Sequence, residues 1–152
     1  IPFIQLSHSV ASTTQSGSAA ATTWQTRPLN VEVADNAGIC SLSANQFTLP
    51  AGTYTIDAWA AGVSLLGFSL RLYNVTDTVA ITGLTARNGY AISGGTDQGH
   101  AYLEGIFTLV ATKTLRLEQY GAQAKATNGF GLSNNLASVN ETYAGVIMRQ
   151  LS

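Results

Sequence analysis

The strongest constraint on what this chain can fold into is a series of short segments in which apolar and polar residues alternate. Tyr54, Ile56, Ala58 and Ala60 alternate with Thr55, Asp57 and Trp59. Phe68, Leu70 and Leu72 alternate with Ser69, Arg71 and Tyr73, and Leu103, Gly105, Phe107 and Leu109 share one side of 102–110. The same rhythm recurs at 29–34, 115–120 and 143–151, with short apolar runs at 39–43, 46–49 and 79–84. Successive strand side chains point to opposite faces, so alternation marks a strand with one buried face. Turn residues separate the segments, as in Asp35-Asn36-Ala37-Gly38, Pro50-Ala51-Gly52 and 74–77. Some eight or nine short strands at roughly ten-residue spacing predict an all-β sandwich or barrel. No segment carries a helical stripe.

Composition sharpens this expectation. Only 10% of the 152 residues are charged, against an apolar fraction of 45%. The polar surface is therefore built from 18 Thr, 13 Ser and 9 Asn, residues that favour strands and turns over helix interiors. Scarce charge also suits subunit contacts, whose cores are depleted in Lys and Glu. The formal net charge is −1 and there is no basic run, so no nucleic-acid footprint is expected. Cys40 is the sole cysteine, which excludes an intrachain disulfide and a cysteine-based metal site. No stretch approaches a membrane span. The chain opens on Ile1 rather than Met, which leads us to expect a fragment or a processed product.

Two regions lack periodicity. Residues 7–23 are small and polar, and we expect 1–23 to be an N-terminal arm or linker from a stalk, with 24–152 as the folded head. Residues 87–99, with Asn88-Gly89 and Ser93-Gly94-Gly95, read as a loop, as does most of 121–140.

From Trp24 to the C-terminus the chain resembles a known family. The motifs run in order: Trp24-Gln25-Thr26-Arg27-Pro28-Leu29-Asn30, then Ser43-Ala44-Asn45-Gln46-Phe47-Thr48-Leu49-Pro50-Ala51-Gly52-Thr53-Tyr54, then Arg71-Leu72-Tyr73-Asn74-Val75-Thr76-Asp77. Gly105-Ile106-Phe107-Thr108-Leu109, Thr127-Asn128-Gly129-Phe130-Gly131 and Glu141-Thr142-Tyr143 complete it. They are similar to the C-terminal jelly-roll domain of phage tail-fibre and related virion attachment proteins, akin to tumour-necrosis-factor (TNF) and complement-type heads. The resemblance implies a two-sheet antiparallel jelly-roll sandwich assembling as a homotrimer on the virion. It implies a receptor-binding head for host attachment, through cell-surface glycans or another envelope receptor. The alternative is a structural head-fibre or capsid decoration protein that binds no receptor. Other virion proteins would be reached through the N-terminal arm.

Candidate site residues follow from exposed aromatics and polar loops. Trp59 lies on the polar side of its strand, where it serves either as a sugar-stacking platform or as a trimer contact. Arg71, Tyr73 and Tyr102 carry the same two readings. Arg87, Asn88, Tyr90, Asp97 and His100 combine an aromatic, donors and a carboxylate, a set suited to sugar hydroxyls, or else form an ordinary loop. The eight acids form no recognisable catalytic motif, although a spatial pair would not show in sequence. His8, in the expected arm, should be solvated, and it forms no metal spacing with His100. We expect neither catalysis, nor a metal, nor a cofactor. Asn74-Val75-Thr76 and Asn140-Glu141-Thr142 fit the glycosylation sequon but read better as turns.

Overall fold

The computed structural model describes residues 1–152 and contains thirteen strands and no helix. In chain order these are β1 (Phe3–Val10), β2 (Gln25–Thr26), β3 (Val31–Asp35), β4 (Ser41–Ser43), β5 (Gln46–Leu49), β6 (Gly52–Val63) and β7 (Leu66–Asn74). They continue as β8 (Val79–Ala80), β9 (Thr85–Arg87), β10 (Gly89–Ala91), β11 (Gln98–Leu109), β12 (Lys113–Gly121) and β13 (Glu141–Gln150). One sheet has six strands in the order β3-β1-β13-β6-β11-β9, and the other runs β10-β7-β12-β5-β4, with β2 beside β12 and β8 beside β7. Every strand pair is antiparallel. Two sheets packed face to face make the expected sandwich.

The alternating segments do what their pattern demands. Tyr54, Ile56, Ala58 and Ala60 of β6 point inward, as do Phe68, Leu70 and Leu72 of β7 and Leu103, Phe107 and Leu109 of β11. With Leu115, Leu117, Val146 and Met148 they belong to one buried cluster of 25 residues, a core large enough to need no disulfide. Of the two sequon asparagines, Asn74 ends β7 at a turn, whereas Asn140 lies directly before β13 rather than in the turn expected. Asn74 clasps its own turn, its Oδ1 accepting from the Asp77 amide at 3.0 Å and its Nδ2 donating to Asp77 Oδ2 at 2.9 Å.

Residues 1–23 correct the expected arm. β1 is an inner strand of the six-stranded sheet, paired with β13 on one side and β3 on the other. Its Ile4 and Leu6 are completely buried in the core. Residues 11–23 then run along the sandwich, with single bridges from Gly17 to Asn128, Ala19 to Lys125 and Ala21 to Gly121. The domain therefore uses its whole length. Residues 87–99 also differ from the expected loop: β10 and the start of β11 fall within them, leaving only a short turn at 92–97.

His8 is likewise buried rather than solvated, beside the Tyr143 ring at 5.4 Å. The residue that shapes its surroundings is Arg27, which is completely buried without a carboxylate partner. Arg27 Nη1 donates to the Ala61 carbonyl at 2.9 Å and to Gln119 Oε1 at 3.2 Å. Its Nη2 donates to the carbonyls of Phe130 and Tyr143, and its guanidinium lies 4.4 Å from the centre of the Phe130 ring. Burial pushes the Arg27 pKa down to about 9, which leaves it charged at neutral pH. Burial first, and then the Arg27 charge, lower the His8 pKa to about 4.

Two expected outcomes test this arrangement. A chain lacking residues 1–23 should lose cooperative unfolding, measured by circular dichroism in urea, because it removes an inner strand and the core side chains of Ile4, Leu6 and Ala19; Leu6→Ala alone should cost about 2–5 kcal/mol. His8 is neutral when folded but protonates near pH 6.5 when unfolded, so the unfolded state binds more protons between pH 6.5 and 4. Stability should thus fall as pH drops through that window and level off below it. His8→Phe should flatten that part of a urea-midpoint profile, leaving only the decline from carboxylates at lower pH.

Candidate functional site

Strand register builds the candidate site on the outer face of the six-stranded sheet. One cross-strand row reads Val31, Ser7, Gly145, Trp59, Tyr102 and Arg87, from β3 to β9. The neighbouring row reads Gln5, Ile147, Asp57, Glu104 and Thr85. On β1, β13, β6 and β11 these positions alternate with the core residues, so their side chains face away from the core, while Val31, Thr85 and Arg87 at the sheet's ends are exposed. Between the rows lies a groove of about 270 Å³, lined among others by Ser7, Asp57, Trp59, Arg87, Tyr102 and Gly145.

Gly145 makes the groove possible. A Cβ at this position would lie 2.6 Å from Trp59 Nε1, so the indole rests where any other residue's side chain would stand. Tyr102 and Arg87 close one side, with the guanidinium 4.5 Å from the centre of the phenol ring. His100 packs tilted against Trp59 with ring centres 5.8 Å apart. Further along the face, Ile106 is 57% exposed and Tyr102 39% exposed, while Arg149 covers the Phe3 ring at 5.4 Å. The face is aromatic and aliphatic at its centre, with charged groups among and around those side chains.

The register also sets Asp57 opposite Glu104, a spatial acid pair that the sequence left open. Both carboxylates are solvent-exposed, unlike the desolvated proton donor that glycoside hydrolysis uses. Arg87 Nε stands 4.0 Å from Glu104 and eases the repulsion between them. No group of three or more His, Cys, Asp or Glu side chains converges anywhere. Cys40 is half-buried, and burial followed by the charges of Glu32 and Asp35 push its pKa up to about 12, so it is a protonated thiol.

The structure divides the residues singled out in the sequence. Trp59 and Tyr102 are direct cross-strand neighbours, and Arg87 and His100 join them. Arg71 and Tyr73 lie on the opposite side of the sandwich, on the outer face of the seven-stranded sheet. One flat contact surface cannot use both pairs. Tyr90 belongs to β10, paired with Gly67 in that second sheet, and Asn88 links β9 to β10 across the two sheets. Asp97 holds its own turn, its Oδ2 accepting from the Ile92 amide at 2.7 Å and its carbonyl from the Ser64 amide at 3.1 Å. The five expected ligand residues therefore do not converge: Arg87 lines the groove, His100 packs against Trp59 outside it, and Asp97 is committed to the backbone.

The sequence reading missed three residues that matter here. Gly145 has no side chain to draw notice. Glu118 and Trp24 build a second cluster with Arg71 and Tyr73, and the signal that could have found it was the Arg116 and Glu118 pair spaced two apart on one strand.

No family model and no curated protein matches the sequence. Solved structures do. The globular domain of zebrafish complement 1qA protein is similar over 100% of this chain and 98% of its own, at 15% identity and a TM-score of 0.59. Murine APRIL is similar over 96% of this chain and 97% of its own, at 10% identity, with TM-scores of 0.54 and 0.56 in two structures. The fold is thus the TNF/C1q-like jelly roll that the sequence motifs implied.

The groove generates a direct test. Gly145→Val should push the indole off the sheet, moving the Trp59 side-chain resonance in a nitrogen–proton spectrum while leaving that of Trp24 in place. The strain should cost about 1–3 kcal/mol.

Proposed function

We propose that this chain is the head domain of a homotrimeric attachment protein of the phage tail-fibre kind. The head binds host cell-surface glycans from the virion surface. The observation that carries the reading is the outer face of the six-stranded sheet, where Trp59, Tyr102, Ile106 and Ile147 stand in one accessible patch on a TNF/C1q-like jelly roll. Large aromatics and aliphatics on a surface this poor in charge fit the core of a subunit contact. Arg87, Arg149, Asp57 and Glu104 give that contact charges of both signs, which favour a partner surface of complementary charge. Cyclic assembly then repeats every remaining surface site three times, which raises avidity without stronger individual contacts.

Light scattering on the full chain, followed by glycan-array binding on the same sample, tests this. The expected mass is three chains, and Ile106→Asp should reduce it to one while leaving the circular dichroism spectrum unchanged. A wild-type mass of one chain at high concentration would remove the trimer and its avidity. A stable trimer that binds neither glycans nor host cells would leave a decoration protein.

A further inference from the structure

The outer face of the seven-stranded sheet holds a cluster that the subunit contact does not use. Glu118 of β12 is only 1% exposed, although it points away from the core. Its Oε1 accepts from Arg71 Nε at 2.7 Å, and its Oε2 accepts from Arg116 Nε at 2.8 Å and lies 2.7 Å from Arg116 Nη2. Aromatic rings separate the cations. Arg71 lies 4.2 Å from the centre of the Trp24 ring and 5.1 Å from that of Tyr73, and Arg116 lies 4.9 Å from Tyr73. Tyr120 packs tilted on Trp24 at 5.3 Å.

The charges do not balance. One arginine fork can satisfy both oxygens of a carboxylate. Here two guanidiniums share one, so the cluster keeps one positive charge in excess. Neither Nη of Arg71 donates to a protein acceptor, since its only such bond uses Nε. The two guanidinium side chains are 28% and 29% exposed, so uncommitted donors meet solvent. Stacking between rings holds the forks flat and lowers the ordering cost of binding.

We propose that this cluster binds an oxyanion carried on a saccharide, the carboxylate or phosphate of an acidic cell-surface glycan. A planar fork with free donors matches either group bidentately. Trp24 and Tyr120 beside it offer aromatic surface to the apolar C–H face of a sugar ring. Nucleic acid is a poorer match, because the chain carries a net charge of −1 and no basic track. The saccharide part rests on the attachment function proposed above; the oxyanion site itself does not need the trimer.

The test titrates the full chain with glucuronic acid, glucose 6-phosphate, glucose and inorganic phosphate, following the Arg71 Nε–H and Trp24 indole signals. Both acidic sugars, or one of them, should shift both signals, and the one that binds names the anion. Arg71→Gln should weaken binding at least about tenfold. Arg71→Lys should restore only part of it, since it returns the charge without the fork. Glu118 keeps Arg116 in both variants, so the unfolding midpoint should change little. Equal shifts with glucose, binding unaffected by Arg71→Gln, or binding of inorganic phosphate with no effect of the sugar would each overturn the proposal. Light scattering keeps the two readings apart. A single-chain mass with acid-sugar binding leaves this site standing and removes the trimer; a trimer that binds only neutral glycans does the reverse.

Discussion

A single cation without a counter-ion holds the two sheets in place. Arg27 enters from the segment after β2, and its guanidinium donates to carbonyls of Ala61 on β6, Phe130 in the 122–140 connection and Tyr143 on β13. It also reaches Gln119 on β12, while its own amide donates to the Leu117 carbonyl at 2.8 Å. Both sheets and the longest connection thus converge on one side chain. An ionised group in a protein interior is tolerated only when fully solvated by protein dipoles. Here neutral acceptors perform that role for Nη1 and Nη2, while the buried Nε has no partner, so each acceptor must stay in position. Losing the guanidinium would leave several buried carbonyls unpaired, at about 1–3 kcal/mol each.

That constraint explains how residues with little local preference become ordered. The 11–23 segment is small and polar, yet it is tied to 121–128 by backbone bridges beside the Arg27 site. His8 bears the electrostatic consequence. Its burial first, and then the fixed positive charge of Arg27, disfavour its own protonation. The acid sensitivity expected from His8 is therefore set first by its burial and then by the residue that organises the fold.

What the sequence revealed follows from what alternation encodes. Period-two patterning states which side chains of a strand point inward, so β6, β7, β11, β12 and β13 were legible with their core residues. It does not state which sheet a strand joins. Trp59 and Tyr73 both read as outward-facing aromatics beside a charge, and only register places them on opposite sides of the molecule. β1 was missed because the adjacent Phe3 and Ile4 blur the alternation at its start, and because the buried His8 between Ser7 and Ser9 reads as part of a polar run. β9 and β10, three residues each, are too short to show any period. The groove was half legible: Trp59 announced itself, whereas the Gly145 beneath it is defined by an absent side chain.

The two outer faces differ in a way that assigns them different work. On the six-stranded sheet the aromatics lie open, and the charges among them are solvated and loosely paired, as the 4.0 Å between Arg87 and Glu104 illustrates. Covering such a face with another subunit displaces water from apolar surface, provided that the partner supplies cations to Asp57 and Glu104. On the seven-stranded sheet Tyr73 and one side of Trp24 are already occupied, stacked with Arg71 and Arg116 over a buried carboxylate. Burying that cluster in a subunit contact would strand its excess charge, whereas leaving it exposed makes the same charge available to a ligand. In a cyclic assembly built through the first face, the second would point outward three times over. In the trimer proposed above, three identical cationic forks would stand out from a surface poor in charge, and an acidic polymer could engage them together.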